Sequence, residues 1–535
     1  MTGVNEIQLP DELIASLLDF SKYPLPVATN SSYDPALITL RQRLNRKKAK
    51  LFTQDSNDVV IPVREIVNTD GQFKVTKRNL LTETKVKEWI GDTYEPDPND
   101  PAKFHGALAT KPDATCRFIL LISHCALAPL ELTRDALLRI LAYHQVMPNY
   151  IDFLLVYGAQ EEDRELRYGG FRTRTTLSNP HPGHVVPGLH RSGCQHEMCF
   201  NLKAVSQKEE NPKDPFAPRW RIEQSAIYHR FHLKTGTALW IIGDPREAVK
   251  GMVGDVLPEG SLPRNFRFGT VVEAFISSLD IHLLLAQWAS DEWRSHIQSL
   301  EATIERLTRP ALVIDTRHEW APRVQPRAMT YVHENEEKVN ETVMVIKSNV
   351  KILTSLASFY QTLVNDPDFP NTQVDVCKSA VKRFTAGIDQ LIQDLQTQVT
   401  RAEALLQITN GPKAIIIQQL QIQSAYQQEM LSNNMMGFSE RGQKETIMMR
   451  IITIITLLYL PPTFVPTFFS TDVIKYQDDG EDKVHFSNGA MSSFLYVTLP
   501  LATVTVVLAV GYYRFEIRRI EKASALKRGV EAGGV

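Results

Sequence analysis

At 535 residues the chain exceeds the ~100–200 residues typical of one folding unit, so two or three units with separate cores are expected. Its 59 Lys and Arg against 61 Asp and Glu give a formal net charge of -2, which carries no bulk-charge signal for nucleic acid or acidic substrates. The five cysteines, Cys116, Cys125, Cys194, Cys199 and Cys377, are an odd count in a chain without a basic start and apolar run, which argues against secretion on a disulfide framework.

The opening MTGVNEIQLPDELIASLLDF reads as a short amphipathic helix started by Pro10 and Asp11. Residues from about 20 to 110 are rich in Pro, Asp, Asn and Lys, with only short apolar runs such as Val59–Val63, and irregular structure is expected for 1–110. The run Phe118–Pro129 predicts a buried strand, and LTRDALLRILAYHQVM predicts a helix capped by Thr133, which together make an α/β unit. His196–Val205 and Trp220–Leu233 have strand character. Lys234-Thr235-Gly236 then turns the chain into TALWIIGD, a hairpin. These elements predict a mixed sheet ending near residue 275 and an α/β cytosolic domain over 111–275.

A helical stalk is expected over 276–446. Trp293, Ile297, Leu300, Ile304 and Leu307 repeat with heptad spacing, as do Val339, Val343, Ile346, Val350, Leu353, Ala357 and Tyr360. A third seam runs through Phe384, Ile388, Leu391, Leu395, Ala402 and Leu405, interrupted by Gln398. Helix breaks are expected at Pro310-Ala311, Asn365–Pro370 and Asn410-Gly411-Pro412. After Pro412 the text IIIQQLQIQSAYQQEMLSNNMM is rich in Gln and Asn. A neutral polar helix face of this kind fits packing against copies of itself around a wet axis, or an ordinary solvated face with a coiled-coil contact.

Two apolar runs follow, Ile447–Pro466 and Met491–Tyr513, each near the ~20 residues a helix needs to cross a bilayer. They predict transmembrane helices over 447–469 and 491–513. Arg441, Lys444 and Arg450 precede the first, while Arg514, Arg518, Arg519, Lys522, Lys527 and Arg528 follow the second, so both termini are expected in the cytosol. The extracytosolic loop 470–490 is acidic, with Asp472, Asp478, Asp479, Glu481 and Asp482 against Lys475 and Lys483, and 514–535 is a basic cytosolic tail.

An α/β domain, long stalk helices and a membrane helix reading IITLLYLPPTFVPTFFSTD together resemble the CorA superfamily of divalent-cation channels. Leu460-Pro461, Thr463-Phe464-Val465 and Phe469 fall on matching positions of that family's pore helix. The more N-terminal text, including YIDFLLVYGAQEEDRELRYGGFR and QSAIYHRFHLKTGTALWII, looks like the fungal CorA-like group. The resemblance implies an α+β cytosolic domain, long stalk helices, two C-terminal transmembrane helices and a homopentamer in a plasma or internal membrane. It implies transport of Mg²⁺ or another divalent cation, with no cofactor. The pore-facing positions carry over onto Thr446, Met449, Ile452, Leu460, Thr463, Thr467 and Asp472. The family's Gly-Met-Asn signature falls on Ser470-Thr471-Asp472, with none of its residues kept, and Asp472 is the position implied to meet a hydrated metal cation. Loss of the signature favours the alternative, a non-conducting membrane-anchored regulatory or scaffold protein on the same architecture.

Two other groups in the sequence bear on chemistry. His190, Cys194, His196 and Cys199 form a set that could suit zinc, or loop histidines followed by a strand that buries Cys199. The EEDRE run at 161–165 reads as a solvated turn or helix face. The sequence has no phosphate-binding glycine loop, nucleophile elbow or paired catalytic constellation, and an enzyme is not expected.

Overall fold

The structure is a computed structural model that describes residues 7–27, 34–55, 58–69, 71–97, 100–123, 128–159, 168–207, 220–245, 248–263, 266–313, 326–370, 374–470 and 488–531. It divides into two units, Met1–Leu420 and Gln421–Val535.

The N-terminal part of the first unit is more regular than its composition foretells. Helix α1 (Asp11–Leu18) begins after Pro10, and α2 (Asp34–Leu51) buries Leu37, Leu40, Leu44 and Leu51, which share one face between charged residues. Strands β1 (Ile61–Thr69) and β2 (Gln72–Leu80) pair antiparallel with Thr69 opposite Gln72, and Gly71 lies in the turn between them. Gly71 takes φ 81°, a left-handed value open to glycine without strain, and its N–H donates to Asn68 Oδ1 at 3.0 Å. Helix α3 (Glu83–Ile90) is capped by Thr82, and β3 (Glu95–Asp97) pairs with β4 (Asp100–His105). The expectation of irregular structure over 1–110 is therefore corrected: the many charges occupy outward positions and hide a short-period apolar pattern.

Strand β5 (Cys116–Ser123) is buried throughout, and α4 (Arg134–Tyr143) starts where Thr133 accepts from the Ala136 N–H, both as the sequence predicts. Next come α5 (Tyr150–Leu154), β6 (Phe171–Thr176), and the short pair β7 (Val185–Val186) and β8 (Arg191–Ser192). The long strands β9 (Gln195–Gln207) and β10 (Trp220–His232) are antiparallel, and β10 turns into β11 (Ala238–Pro245). That turn uses Gly236 at φ 73°, where a Cβ would lie 3.1 Å from the Val271 Cα. With α6 (Ala248–Val256) and β12 (Gly260–Ser261) the eight-stranded order is β12-β2-β1-β5-β11-β10-β9-β6, in which only β5 and β11 run parallel. The sheet thus extends across the expected domain boundary at 110.

Strand alternation divides the core. One sheet face carries Val63, Ile119, Tyr228 and Ile241 against α1 to α5. The other carries Phe118, Phe200, Ile227 and Trp240 against α7 (Val271–Ser290), α8 (Trp293–Val313), α9 (Pro326–Asn365) and α10 (Val374–Phe469). A capping box of Thr270 and Glu273 starts α7. Helix α7 is long and apolar enough to cross a membrane, but its apolar residues pack into this core, and we read it as a core helix.

The three heptad seams are found on α8, α9 and α10, with Trp293, Ile346 and Ile388 fully buried. Tyr360 of α9 meets Phe384 of α10 at 5.5 Å between ring centroids. Helix α8 ends at Val313, within one turn of the break expected at Pro310-Ala311, whereas the break expected at Asn410-Gly411-Pro412 does not occur: α10 runs unbroken through Gly411 and Pro412. Pro412 forfeits one backbone bond, to the Ile408 carbonyl. Ile416, one turn further on, packs with Leu307 and Val332 and holds the chain helical through that defect.

The described part of the second unit contains the remainder of α10 and α11 (Asn488–Glu531). Both are long and apolar enough to cross a membrane. The expected boundaries at 446 and 513 fall inside these continuous helices.

Candidate functional site

At about 100° per residue, Thr446, Met449, Ile452, Leu460, Thr463 and Thr467 fall within roughly 120° of arc on α10. All six side chains are exposed, as are most described side chains on this part of the helix, Ile451, Ile454, Leu458 and Phe464 among them; Val465, on the opposite side, is buried. Asp472 lies outside the described residues, as do Thr471, Asp478, Asp479, Glu481 and Asp482. Ser470 follows the last residue of α10, its N–H donating to the Pro466 carbonyl at 2.9 Å.

The threonines on this arc spend their hydroxyl hydrogens on their own helix. Thr446 donates to the Gly442 carbonyl at 2.7 Å, Thr463 to Tyr459 at 2.9 Å, and Thr467 to Thr463 at 2.8 Å. Their oxygens keep lone pairs facing outward, so each is an acceptor, matched to the outward-pointing hydrogens of a cation's water shell. Pro461, Pro462 and Pro466 lie inside the same helix and cannot donate to the carbonyls of Leu457, Leu458 and Pro462. In an apolar surrounding those carbonyls require neighbours or water.

The first unit does not assemble the zinc set. His190 sits in a left-handed turn at φ 60°, while His196 and Cys199 of β9 point to opposite faces of the sheet. Among the described residues no three His, Cys, Asp or Glu side chains are arranged to hold a metal ion. The 161–165 acidic run lies outside the described residues.

What sequence reading missed is a charged row crossing six strands. In register, Glu65 (β1) lies opposite Arg117 (β5), Arg117 beside Leu239 (β11), Leu239 opposite Arg230 (β10), Arg230 opposite Glu197 (β9), and Glu197 opposite Arg174 (β6). Arg117 donates to Glu65 Oε1 at 2.9 Å and Asp113 Oδ1 at 3.1 Å, and Arg191 donates to Asp113 Oδ2 at 2.7 Å. Arg174 reaches Glu197 Oε1 at 2.9 Å. Burial pushes the Asp113 carboxyl up, but Arg191 and Arg117 beside it outweigh that and hold it well below the carboxylate range. Glu197 is likewise lowered, its burial outweighed by Arg174 and Arg230. The available signal was charge at inward positions of apolar strands, as in CRFILLIS and AIYHRFHL.

The opposite sheet face holds a second polar group the sequence did not announce. His229 stacks on Trp240 at 3.9 Å between centroids, and its Nδ1 lies 3.0 Å from His282 Nε2. His196 packs among Phe231, Phe275, Phe359 and Tyr360 with no hydrogen-bond partner on either ring nitrogen among the described residues. Burial lowers all three, His196 to about 3, so they are neutral at physiological pH.

No curated protein matches the chain. Among solved structures it is similar to the full-length CmaX protein, at 11% identity and a TM-score of 0.34, covering 85% of this chain and 99% of that one. It is similar also to the ZntB cytoplasmic domain from Vibrio parahaemolyticus, at 12% identity and a TM-score of 0.26, covering 65% of this chain and 97% of that one. A family model described as CorA-like transporters matches residues 15–312, which hold the whole eight-stranded sheet and α7. That match spans more than half of the sequence, and the chain belongs to the CorA-like transporters.

Proposed function

We propose that this chain forms a homopentameric pore for hydrated divalent cations, Mg²⁺ foremost, with one α10 from each copy facing the axis. The carrying observation is that Thr446, Met449, Ile452, Leu460, Thr463 and Thr467 share one arc of a helix that continues unbroken to Phe469. Threonine acceptors handle a cation through its water shell, which suits an ion that dehydrates reluctantly. Met449, Ile452 and Leu460 form the apolar constriction that gates by wetting. Both termini lie in the cytosol, and Asp472 from each copy forms a carboxylate ring at the outer mouth. Membership in a transporter family supports this reading over the non-conducting scaffold.

The test is uptake of Mg²⁺ into proteoliposomes carrying the full-length protein, with its mass measured in detergent. Uptake above protein-free vesicles and a five-copy mass are expected. A monomer, or vesicles no more permeable than empty ones, refutes the pore and leaves the scaffold reading.

A further inference from the structure

The polar group on the helix-covered face of the sheet is out of keeping with its aromatic surroundings. His196, His229, Trp240, His282 and Tyr360 are all buried there. Ring centroids lie 4.8 Å apart for His229 and His282, 5.6 Å for His196 and His229, 5.6 Å for His282 and Tyr360, and 5.7 Å for His196 and Tyr360. One hydrogen bond joins the group, between His229 Nδ1 and His282 Nε2. Both nitrogens of His196, His229 Nε2, His282 Nδ1, Trp240 Nε1 and the Tyr360 hydroxyl have no hydrogen-bond partner among the described residues. So many unpartnered polar atoms in one layer weaken it against any state that wets them.

These five side chains come from the two sides of one seam. His196 (β9), His229 (β10) and Trp240 (β11) stand on the sheet, while His282 (α7) and Tyr360 (α9) stand on helices laid against it. Tyr360 packs in turn on Phe384 of α10. Every strand of the sheet precedes α7 in the chain, so α7 to α10 can part from the sheet without breaking a strand ladder.

The other walls of the cluster are Phe231, Phe275 and Phe359, with Cys116 of β5 in the same core. Among the described residues no carboxylate or guanidinium faces the three imidazoles within this layer: Glu197 acts on His196 from the opposite face of the sheet, and Arg383 of α10 acts on Asp280 of α7. A proton taken up in the closed layer therefore meets no counter-charge there, whereas in an open layer water solvates it.

We infer that the seam between the sheet and α7 to α10 is a proton-released joint: uptake of protons by His196, His229 and His282 parts the helices from the sheet, while the opposite face of the sheet stays covered. The histidines hold the joint shut in their neutral form, above their ordinary value of 6.5, and release it as the pH falls below that value. The joint does not depend on the pore.

The experiment labels cysteines of the full-length protein in detergent with a thiol reagent at pH 7.5, 6.5 and 5.5, without denaturant, and follows each cysteine by peptide mass. Cys116 lies in the core shared with α7 to α10 and Cys199 on the opposite face of the sheet, and both are fully buried. Dividing each rate by that of the unfolded chain at the same pH removes the ionisation of the thiol itself. The corrected rate at Cys116 is expected to rise at least about tenfold from pH 7.5 to 5.5, the contribution of His196 alone, while Cys199 stays protected. His196→Phe cannot titrate, so the rise at Cys116 shrinks by about tenfold. Tyr360→Phe removes an unpartnered hydroxyl and no titration in this range, so labelling slows at every pH and the rise is kept. An equal rise at Cys199 would show unfolding of the whole unit in place of a joint, and needs no variant to be seen. That result, a rate at Cys116 independent of pH, an unchanged rise in His196→Phe, or faster labelling in Tyr360→Phe would overturn the inference.

Discussion

Lowering the pH should destabilise this protein steeply, because burial holds seven histidines below their ordinary value of 6.5: His144, His184, His196, His229, His232, His282 and His296. Their folded-state values are depressed, so the unfolded chain takes up protons first. The stability they confer is complete above about pH 6.5 and is lost as the pH falls below it. For one histidine held at about 3, as His196 is, the loss between pH 7.5 and 5.5 is about 1.4 kcal/mol. The other six are lowered in the same sense and add to that loss, against the roughly 5–15 kcal/mol of a typical domain. Desolvation raises Asp92, Asp152 and Asp280, which act in the opposite sense, but three carboxyls stand against seven histidines and the histidines prevail. Denaturant unfolding of the full-length protein, followed by near-ultraviolet circular dichroism, measures the effect. His196→Phe fits the surrounding aromatic rings and does not titrate, so it should lose about 1.4 kcal/mol less than the parent over the same interval. An unfolding midpoint constant from pH 7.5 to 5.5, or an equal slope in His196→Phe, refutes the reasoning.

Two further outcomes are expected. In the flux assay Asp472→Asn should change cation affinity or selectivity strongly, while Asp479→Asn should give only a small, salt-sensitive change; equal and negligible effects would remove Asp472 from the pore mouth. Pro412→Ala should stabilise the protein by up to about 3 kcal/mol, since α10 passes through that position and the alanine restores the bond to Ile408; destabilisation in thermal unfolding would show that the helix is broken there.

The sequence was most legible where one period dominated. The heptads of α8, α9 and α10, the Thr133 cap and the Gly236 hairpin all follow from local spacing or turn chemistry. It misled where composition was read in place of pattern. The charges of Asp34–Leu51 obscured the stripe of Leu37, Leu40 and Leu44, and the β1–β2 hairpin passed unread. Pro412 was over-read because a helix-breaking residue shows in sequence, whereas the packing of Ile416 that overrides it does not. The pore face we propose rests on helical periodicity and a resemblance alone. The charged row needed strand register, since Glu65 and Glu197 meet Arg117 and Arg230 only after strands distant in sequence are placed side by side.

The one parallel pair in the sheet sets an order of events during synthesis. β5 leaves the ribosome more than a hundred residues ahead of β11, and until β11 arrives the central seam of the sheet cannot close. Even then the face bearing Phe200 and Trp240 stays open, because α9 and the buried half of α10 follow later still. The nascent chain therefore carries a broad apolar surface through most of its translation, and the membrane helices emerge last, after that surface is covered. A chain halted before α9 exposes the same surface permanently and is the species expected to recruit chaperones and aggregate.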